Sequence, residues 1–323
     1  MNLKQFSQIT GYSQSTISKA FSGSNEISQE TKSIIFDKAK ELGIFDKYNK
    51  NKYEKHVIAA ICPEIESVYY NEILAHIYSL LLKINCTLSI SVTSFNLNQE
   101  NDLISYYSSN NRADGIIVID GQSKSKKYNS TPIVYINSTI NEYADSVNVD
   151  FYSGIHDAVS FLKQNGHEKI GFIGDYITFR KKDLFKKAML SCNLNVNPKF
   201  IIEEKKRFSD CGYSAMKKFY ESNNMPTAII CAYDDIALGV IDFLEQHDLS
   251  SPKDISIVGI DDIKFSSYKK IALSTINANV KSACEIAIEI LYKKIVNPFY
   301  KTIQSVKVKS SFINRKTVKN LLG

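Results

Sequence analysis

Apolar residues recur in three short bursts over the first 45 positions: Leu3, Phe6 and Ile9; Ile17, Ala20 and Phe21; then Ile34, Ile35, Ala39 and Leu42. Their three- and four-residue spacing puts each burst on one face of a helix, so three short helices around a minimal core are expected. Gly11 and Ser13 read as a turn and an N-cap before the second helix, and Ser28 as the cap of the third, with Glu30 in its first turn. The stretch 46–56, DKYNKNKYEKH, is almost free of aliphatic residues and reads as a linker. From VIAAIC onward the pattern changes. Apolar runs at 57–62, 87–92, 115–119, 133–136, 170–173, 228–232 and 255–260 predict strands, separated by amphipathic helical stretches. Such alternation implies parallel sheets covered by helices, and runs like GIIVI and SIVGI suit strands buried on both faces. The region to about residue 315 is long for one core. Two α/β lobes are expected, with a ligand cleft beyond the carboxyl ends of their strands.

Composition adds boundaries to this picture. A chain of 323 residues, 44% hydrophobic and 23% charged, suits two or three globular units. No apolar run is long enough to span a bilayer and the N-terminus lacks a signal-peptide pattern, so a cytoplasmic location without membrane contact is expected. The six cysteines form no C-x-x-C pair and the five histidines show no metal-binding helical spacing. They read as core or surface residues, with no metal and no cofactor. The formal net charge is +6, and residues 1–56 hold nine lysines against six acidic residues. That local excess of 9 − 6 = +3 favours an anionic partner at the N-terminal end.

Two clusters carry candidate chemistry. In GYSQSTISKAFSG, residues 11–23, Ser13, Gln14, Ser15, Thr16 and Lys19 form a polar face and Ile17, Ala20 and Phe21 an anchoring one. This suits a helix entering the DNA major groove, although a plain amphipathic helix has the same pattern. Asp234, Asp235, Asp261 and Asp262 resemble the paired acids of a sugar hydrolase, with Asp234 and Asp261 as the pair. No nucleophile elbow, P-loop or G-x-G-x-x-G accompanies them, and helix caps or turns explain them as well, so an enzyme is not expected.

The segment NLKQFSQITGYSQSTISKAFSGSNEISQETKSIIFDKAKELG resembles the headpiece of the lactose repressor/galactose repressor family, matching at Ser13, Thr16, Ser18, Ser28, Thr31, Leu42 and Gly43. The resemblance implies a helix-turn-helix head over 1–45. Its DNA contacts are then Asn2, Leu3, Ser13, Gln14, Ser15, Thr16, Ser18, Lys19, Ser28 and Thr31, with Gln14 and Ser15 reading bases and Lys19 in place of the usual arginine. No arginine precedes Arg112. In the family the following segment wedges an aliphatic residue into the minor groove. Here the usual proline, alanine and leucine are absent, leaving Tyr48 and Tyr53 as wedge residues or as exposed tyrosines of a lysine-rich tether.

The body resembles the same family through SVNVDFYSGIHDAVSFLKQNGHEKIGFIGD and PTAIICAYDDIALGVIDFLEQHDLSSPKDISIVGIDDI. It implies a periplasmic-binding-protein-like body of two parallel α/β sheets over 57–316, with a linker or hinge at 46–56. The N-lobe is expected at about 57–154 and 279–304, the C-lobe at about 155–278 and 305–316. The implied effector residues are Asp150 and Asp261, the aromatic pair Tyr69 and Tyr70, and Phe151, Arg180, Lys181 and Tyr233. Phe151, Tyr233, Asn137 and Ala278 depart from the family's usual choices. The expected function is that of a sequence-specific DNA-binding repressor of carbohydrate genes. Its partners would be a palindromic double-stranded DNA operator, a small carbohydrate effector and a second copy of the chain. A protein corepressor in place of the sugar is the alternative. No heptad-bearing extension follows SFINRKTVKNLLG, so a homodimer is expected rather than a tetramer.

Overall fold

The computed structural model describes residues 1–322 except 23, 25, 49–54, 110–111, 124–130, 139–143, 269 and 271. Helices α1 (Leu3–Thr10), α2 (Gln14–Phe21), α3 (Gln29–Glu41) and α4 (Phe45–Tyr48) make the head. Each of the first three starts where a short polar side chain meets an orphan amide. Asn2, Ser13 and Ser28 accept from the backbone N–H of Gln5, Thr16 and Thr31, and Gly11 ends α1 at φ +74°. The core is Phe6, Ile17, Ala20, Phe21, Ile35, Ala39 and Ile44. Ile9 and Ile34, expected inside, are about half exposed, because neighbouring positions fill the small interior.

The head also extends past residue 45. Tyr48, expected in the hinge, closes α4 instead. Its ring packs 6.0 Å from that of Phe21 and 6.5 Å from that of Phe6, and its hydroxyl donates to Met1 O at 3.0 Å. Tyr48 is thus half-buried, its ring packed against the core of the head. Tyr53 lies outside the described residues.

The first lobe is built from β1 (Val57–Cys62), β2 (Thr87–Val92), β3 (Gly115–Ile119), β4 (Ile133–Ile136), β5 (Asp145–Asp150) and β11 (Ser305–Lys309), in the order β11-β5-β4-β3-β1-β2. All its pairings are parallel. Alternate residues divide between two apolar layers. Ile58, Ala60, Ile117 and Val134 face helices α5 (Val68–Lys83) and α11 (Val280–Val296), while Ala59, Ile61, Ile116 and Tyr135 face α6 (Leu97–Ser108). The second lobe holds β6 (Ile170–Asp175), β7 (Ile201–Glu204), β8 (Ala228–Cys231), β9 (Ser256–Asp261), β10 (Ser274–Asn277) and β12 (Ser311–Ile313), ordered β12-β10-β9-β8-β6-β7, with only β12 antiparallel. Its helices are α7 (Phe151–Gln164), α8 (Phe179–Ser191), α9 (Phe208–Glu221) and α10 (Asp234–Gln246).

The chain passes between lobes three times, at 150–151, 277–280 and 309–311. Two of these passages differ from the expected boundaries. Helix α7 already packs in the second lobe from Phe151, and β11 pairs with β5 in the first sheet, its alternating Val306 and Val308 in register with Val147 and Val149. Ser310 joins two of the passages. Its hydroxyl donates to Asp150 O at 2.6 Å and accepts from Gly154 N at 2.9 Å.

Helices α9 and α10 cross at two glycines. A methyl group on Gly212 would meet Ile236 O at 1.9 Å, and one on Gly239 would meet Ser209 O at 1.9 Å. Backbone oxygens cannot yield as side-chain ends do. Gly212→Ala is therefore expected to destabilise the protein by about 3 kcal/mol, read as a lower midpoint in urea unfolding.

Candidate functional site

Helix α2 presents the side chains of Gln14, Ser15 and Ser18 to solvent while Ile17, Ala20 and Phe21 anchor it. The other residues assigned to DNA contact are already engaged. Asn2, Ser13 and Ser28 serve as caps, and the Thr16 and Thr31 hydroxyls lie 2.9 Å from those of Ser13 and Ser28. Leu3 packs against the head's core, and Lys19 is ion-paired with Glu26. The surface available for base edges without prior rearrangement is thus Gln14, Ser15 and Ser18.

The second site is a cavity of about 580 Å³ between the lobes. Of the expected effector residues, Tyr69, Tyr70, Phe151, Arg180, Lys181, Tyr233 and Asp261 line it. Asp150 does not: its carboxylate accepts from Ser153 Oγ at 2.8 Å, turned towards the start of α7. Asp261 ends β9 at φ +110°, a strained conformation for a non-glycine residue. It accepts from Lys181 Nζ at 3.0 Å, and Lys181 also donates to Ala232 O at 2.8 Å and stands 4.8 Å from the centre of the Phe151 ring. Burial pushes the Asp261 carboxyl up to about 6 while Lys181 pulls it down.

Several lining or bordering residues were not anticipated. Arg207, just before α9, clasps the lobes: it donates to both oxygens of Glu64, at 2.5 and 2.7 Å, and to Asp175 at 3.4 Å. Its guanidinium lies 4.5 Å from the centre of the Phe208 ring and 5.6 Å from that of Phe95. Tyr233 joins the same group, donating to Asp175 at 2.7 Å and accepting from Phe208 N at 2.9 Å; burial raises its phenol far above the usual range. In sequence Arg207 ends the mixed-charge run EEKKR, which reads as a solvated surface. The only signal was its place just before a helix in a strand-to-helix connection.

The acids considered for hydrolysis are occupied elsewhere. Asp234 is fully buried, accepting from Ile263 N at 2.9 Å and from the Ser266 and Thr275 hydroxyls at 2.5 Å. Asp262 pairs with Arg315 at 2.5 Å. Neither lines the cavity, so neither forms an acid/base pair with Asp261 there.

Comparison with known proteins agrees with this architecture. Residues 159–318 match the family model of the periplasmic binding protein-like domain. The HTH-type transcriptional repressor PurR of Histophilus somni (strain 2336) is 26% identical over 337 residues, covering 99% of both chains. Catabolite control protein A of Priestia megaterium is 25% identical over 87% of this chain and 88% of its own length. Among solved structures, the Lac repressor dimer bound to operator and the anti-inducer ONPF superposes with a TM-score of 0.73 at 17% identity, over 99% of each chain. A LacI family regulator from Enterococcus faecium with bound ribose gives a TM-score of 0.70 at 19% identity, over 82% of this chain and 99% of that one. The structural matches establish the shared fold, and the sequence matches run through both head and body, bearing out the resemblance read from the sequence.

The shift of Asp261 has a consequence for stability. A carboxyl raised on folding takes up a proton as the chain folds, so its contribution is complete at low pH and is lost as pH rises from about 4 to about 6. The stability of the wild-type protein minus that of Asp261→Asn is expected to fall by about 2 kcal/mol between pH 4 and pH 7. Chemical denaturation of both proteins across that range measures it.

Proposed function

We propose that this chain is a LacI-type DNA-binding transcriptional repressor whose interlobe cleft takes a small carbohydrate effector. The observation that carries the DNA-binding half is the exposed triad Gln14, Ser15 and Ser18 at the start and middle of a helix anchored by its opposite face. Short polar side chains so placed reach base edges, while the capped helix N-termini offer amides to phosphates. A single head of this size makes few contacts, which favours a homodimer on a palindromic operator.

The cavity supports a sugar-like effector by its chemistry. Tyr69, Tyr70 and Phe151 offer flat apolar surface, and the Lys181–Asp261 pair offers both a donor and an acceptor to hydroxyl groups. Effector binding would alter the angle between the lobes and, through a dimer, the spacing of the heads. Among the described residues no helix is long and apolar enough to cross a membrane.

The test is fluorescence anisotropy of the full-length protein on DNA flanking its own gene, at several salt concentrations, with neutral sugars and purine bases added in turn. Salt-sensitive binding to one palindromic fragment, altered by a sugar, is the expected result; a response only to a purine base would replace the sugar. Gln14→Ala is expected to weaken operator binding by about 1–3 kcal/mol while leaving binding to random DNA nearly unchanged. Equal losses on both DNAs would remove Gln14 from base reading.

A further inference from the structure

The first lobe brings its own carboxylate to the cleft from a position the family resemblance does not assign. Strands β3 and β4 pair in register up to Ile119 and Ile136, and the residue after each takes a left-handed turn: Asp120 at φ +50° and Asn137 at φ +61°. These conformations cost energy for residues other than glycine and place both side chains in the cavity lining. The Asp120 carboxylate is fixed there in advance. It accepts from Tyr70 Oη at 2.5 Å, while its backbone N–H donates to Ile136 O at 2.8 Å. Asn137 is held by Tyr69 at 2.7 Å and by Val149 N at 2.9 Å.

Among the described residues Asp120 has no ion-pair partner. Burial raises its carboxyl, Tyr70 counters that through its hydrogen bond, and Lys181 and Arg180 act on it through space from the second lobe. Asp261, its counterpart in that lobe, is already paired with Lys181. One cavity thus receives one carboxylate from each side, whereas Asp150 is turned to Ser153 and off the lining.

We propose that Asp120 is the effector-binding carboxylate of the first lobe, taking the place implied for Asp150, and that the effector is a neutral polyol bridging Asp120 and the Lys181–Asp261 pair. The proposal rests on the effector reading given above. A hydroxyl group donates to a carboxylate and accepts from an ammonium, so adjacent hydroxyls satisfy both ends of the cavity. A phosphate or carboxylate on the ligand would be set against Asp120 and Asp261, and an amine against Lys181 and Arg180. Arg207 and Lys307 also line the cavity, and the neutral class is favoured because hydroxyls alone can satisfy both carboxylates and the Lys181 ammonium.

Isothermal titration calorimetry on the full-length protein tests this with D-ribose, D-xylose, D-glucose, D-galactose, D-glucosamine and D-glucose 6-phosphate. Asp120→Asn, Asp150→Asn and Asp261→Asn are compared, with folding checked by circular dichroism melts. The expected result is binding of a neutral sugar whose Kd rises roughly ten- to hundredfold in Asp120→Asn and in Asp261→Asn, and by less than about twofold in Asp150→Asn. Should Asp120→Asn not fold, Tyr70→Phe is read instead, because it releases the same carboxylate without changing its charge. Loss of binding in Asp150→Asn with Asp120→Asn unaffected, or an unchanged Kd in Tyr70→Phe, overturns the proposal and leaves the effector reading standing. Binding of glucosamine or glucose 6-phosphate alone overturns the neutral class. No heat from any compound, with operator binding intact, removes the carbohydrate-effector reading itself and this proposal with it.

Discussion

Two parallel sheets that present their carboxyl ends to one another leave the space between them to residues lying just past a strand, and the chemistry of this molecule follows from that constraint. Buried strands such as GIIVI and SIVGI contribute mainly apolar side chains, so most polar groups enter past the strand ends or from α8, while Asn148 of β5 and Lys307 of β11 line the cleft from within strands. Asp120 follows β3, Asn137 follows β4, Asp175 and Asp261 end β6 and β9, and Tyr233 lies two residues beyond β8. Three of the five, Asp120, Asn137 and Asp261, have positive φ values. In these three the strain falls at the edge of the cleft, where a turn must redirect a side chain rather than continue a ladder.

Bringing these groups together buries charge, and the arrangement offsets that cost by pairing. Arg207 binds Glu64 across the gap and Asp175 on its own side, while Lys181 binds Asp261. Removing one member of such a set leaves the other charged in a poor solvent, which is why truncating one partner is far more damaging than replacing both. The lobes therefore touch through defined contacts: the Arg207–Glu64 bidentate pair, the Arg207–Phe95 contact, and Lys264 N donating to Glu72 at 3.2 Å. A small molecule biases the angle between lobes only to the extent that it favours one angle over another against these contacts.

Strands β1, β2, β3 and β4 match the expected ranges residue for residue; β1, β3 and β4 are buried almost throughout, whereas β2 is a partly exposed edge strand. Those not read share a different composition. DSVNVD, IIEE, STIN and SVKVK carry polar residues because they lie towards sheet edges or present one side to solvent or to the cleft, and their apolar content is too low to stand out. The aromatic and cationic lining was legible because the family resemblance fixed positions along the chain. Orientation was not: Asp150 stands at the expected position but bonds to Ser153. Asp120, followed by Gly121, reads as an ordinary Asp-Gly turn. The packing of Tyr48 on the head was not legible for a related reason, since a tyrosine in a lysine-rich stretch gives no indication that the head has an apolar wall to receive it.

Ser310 sits where two of the three interlobe passages run side by side, bonded at once to the carbonyl of Asp150 and the amide of Gly154. Two strands riveted at one point can swing about it but cannot slip past one another. The two passages are thereby held level with one another at the point where the chain leaves the first sheet.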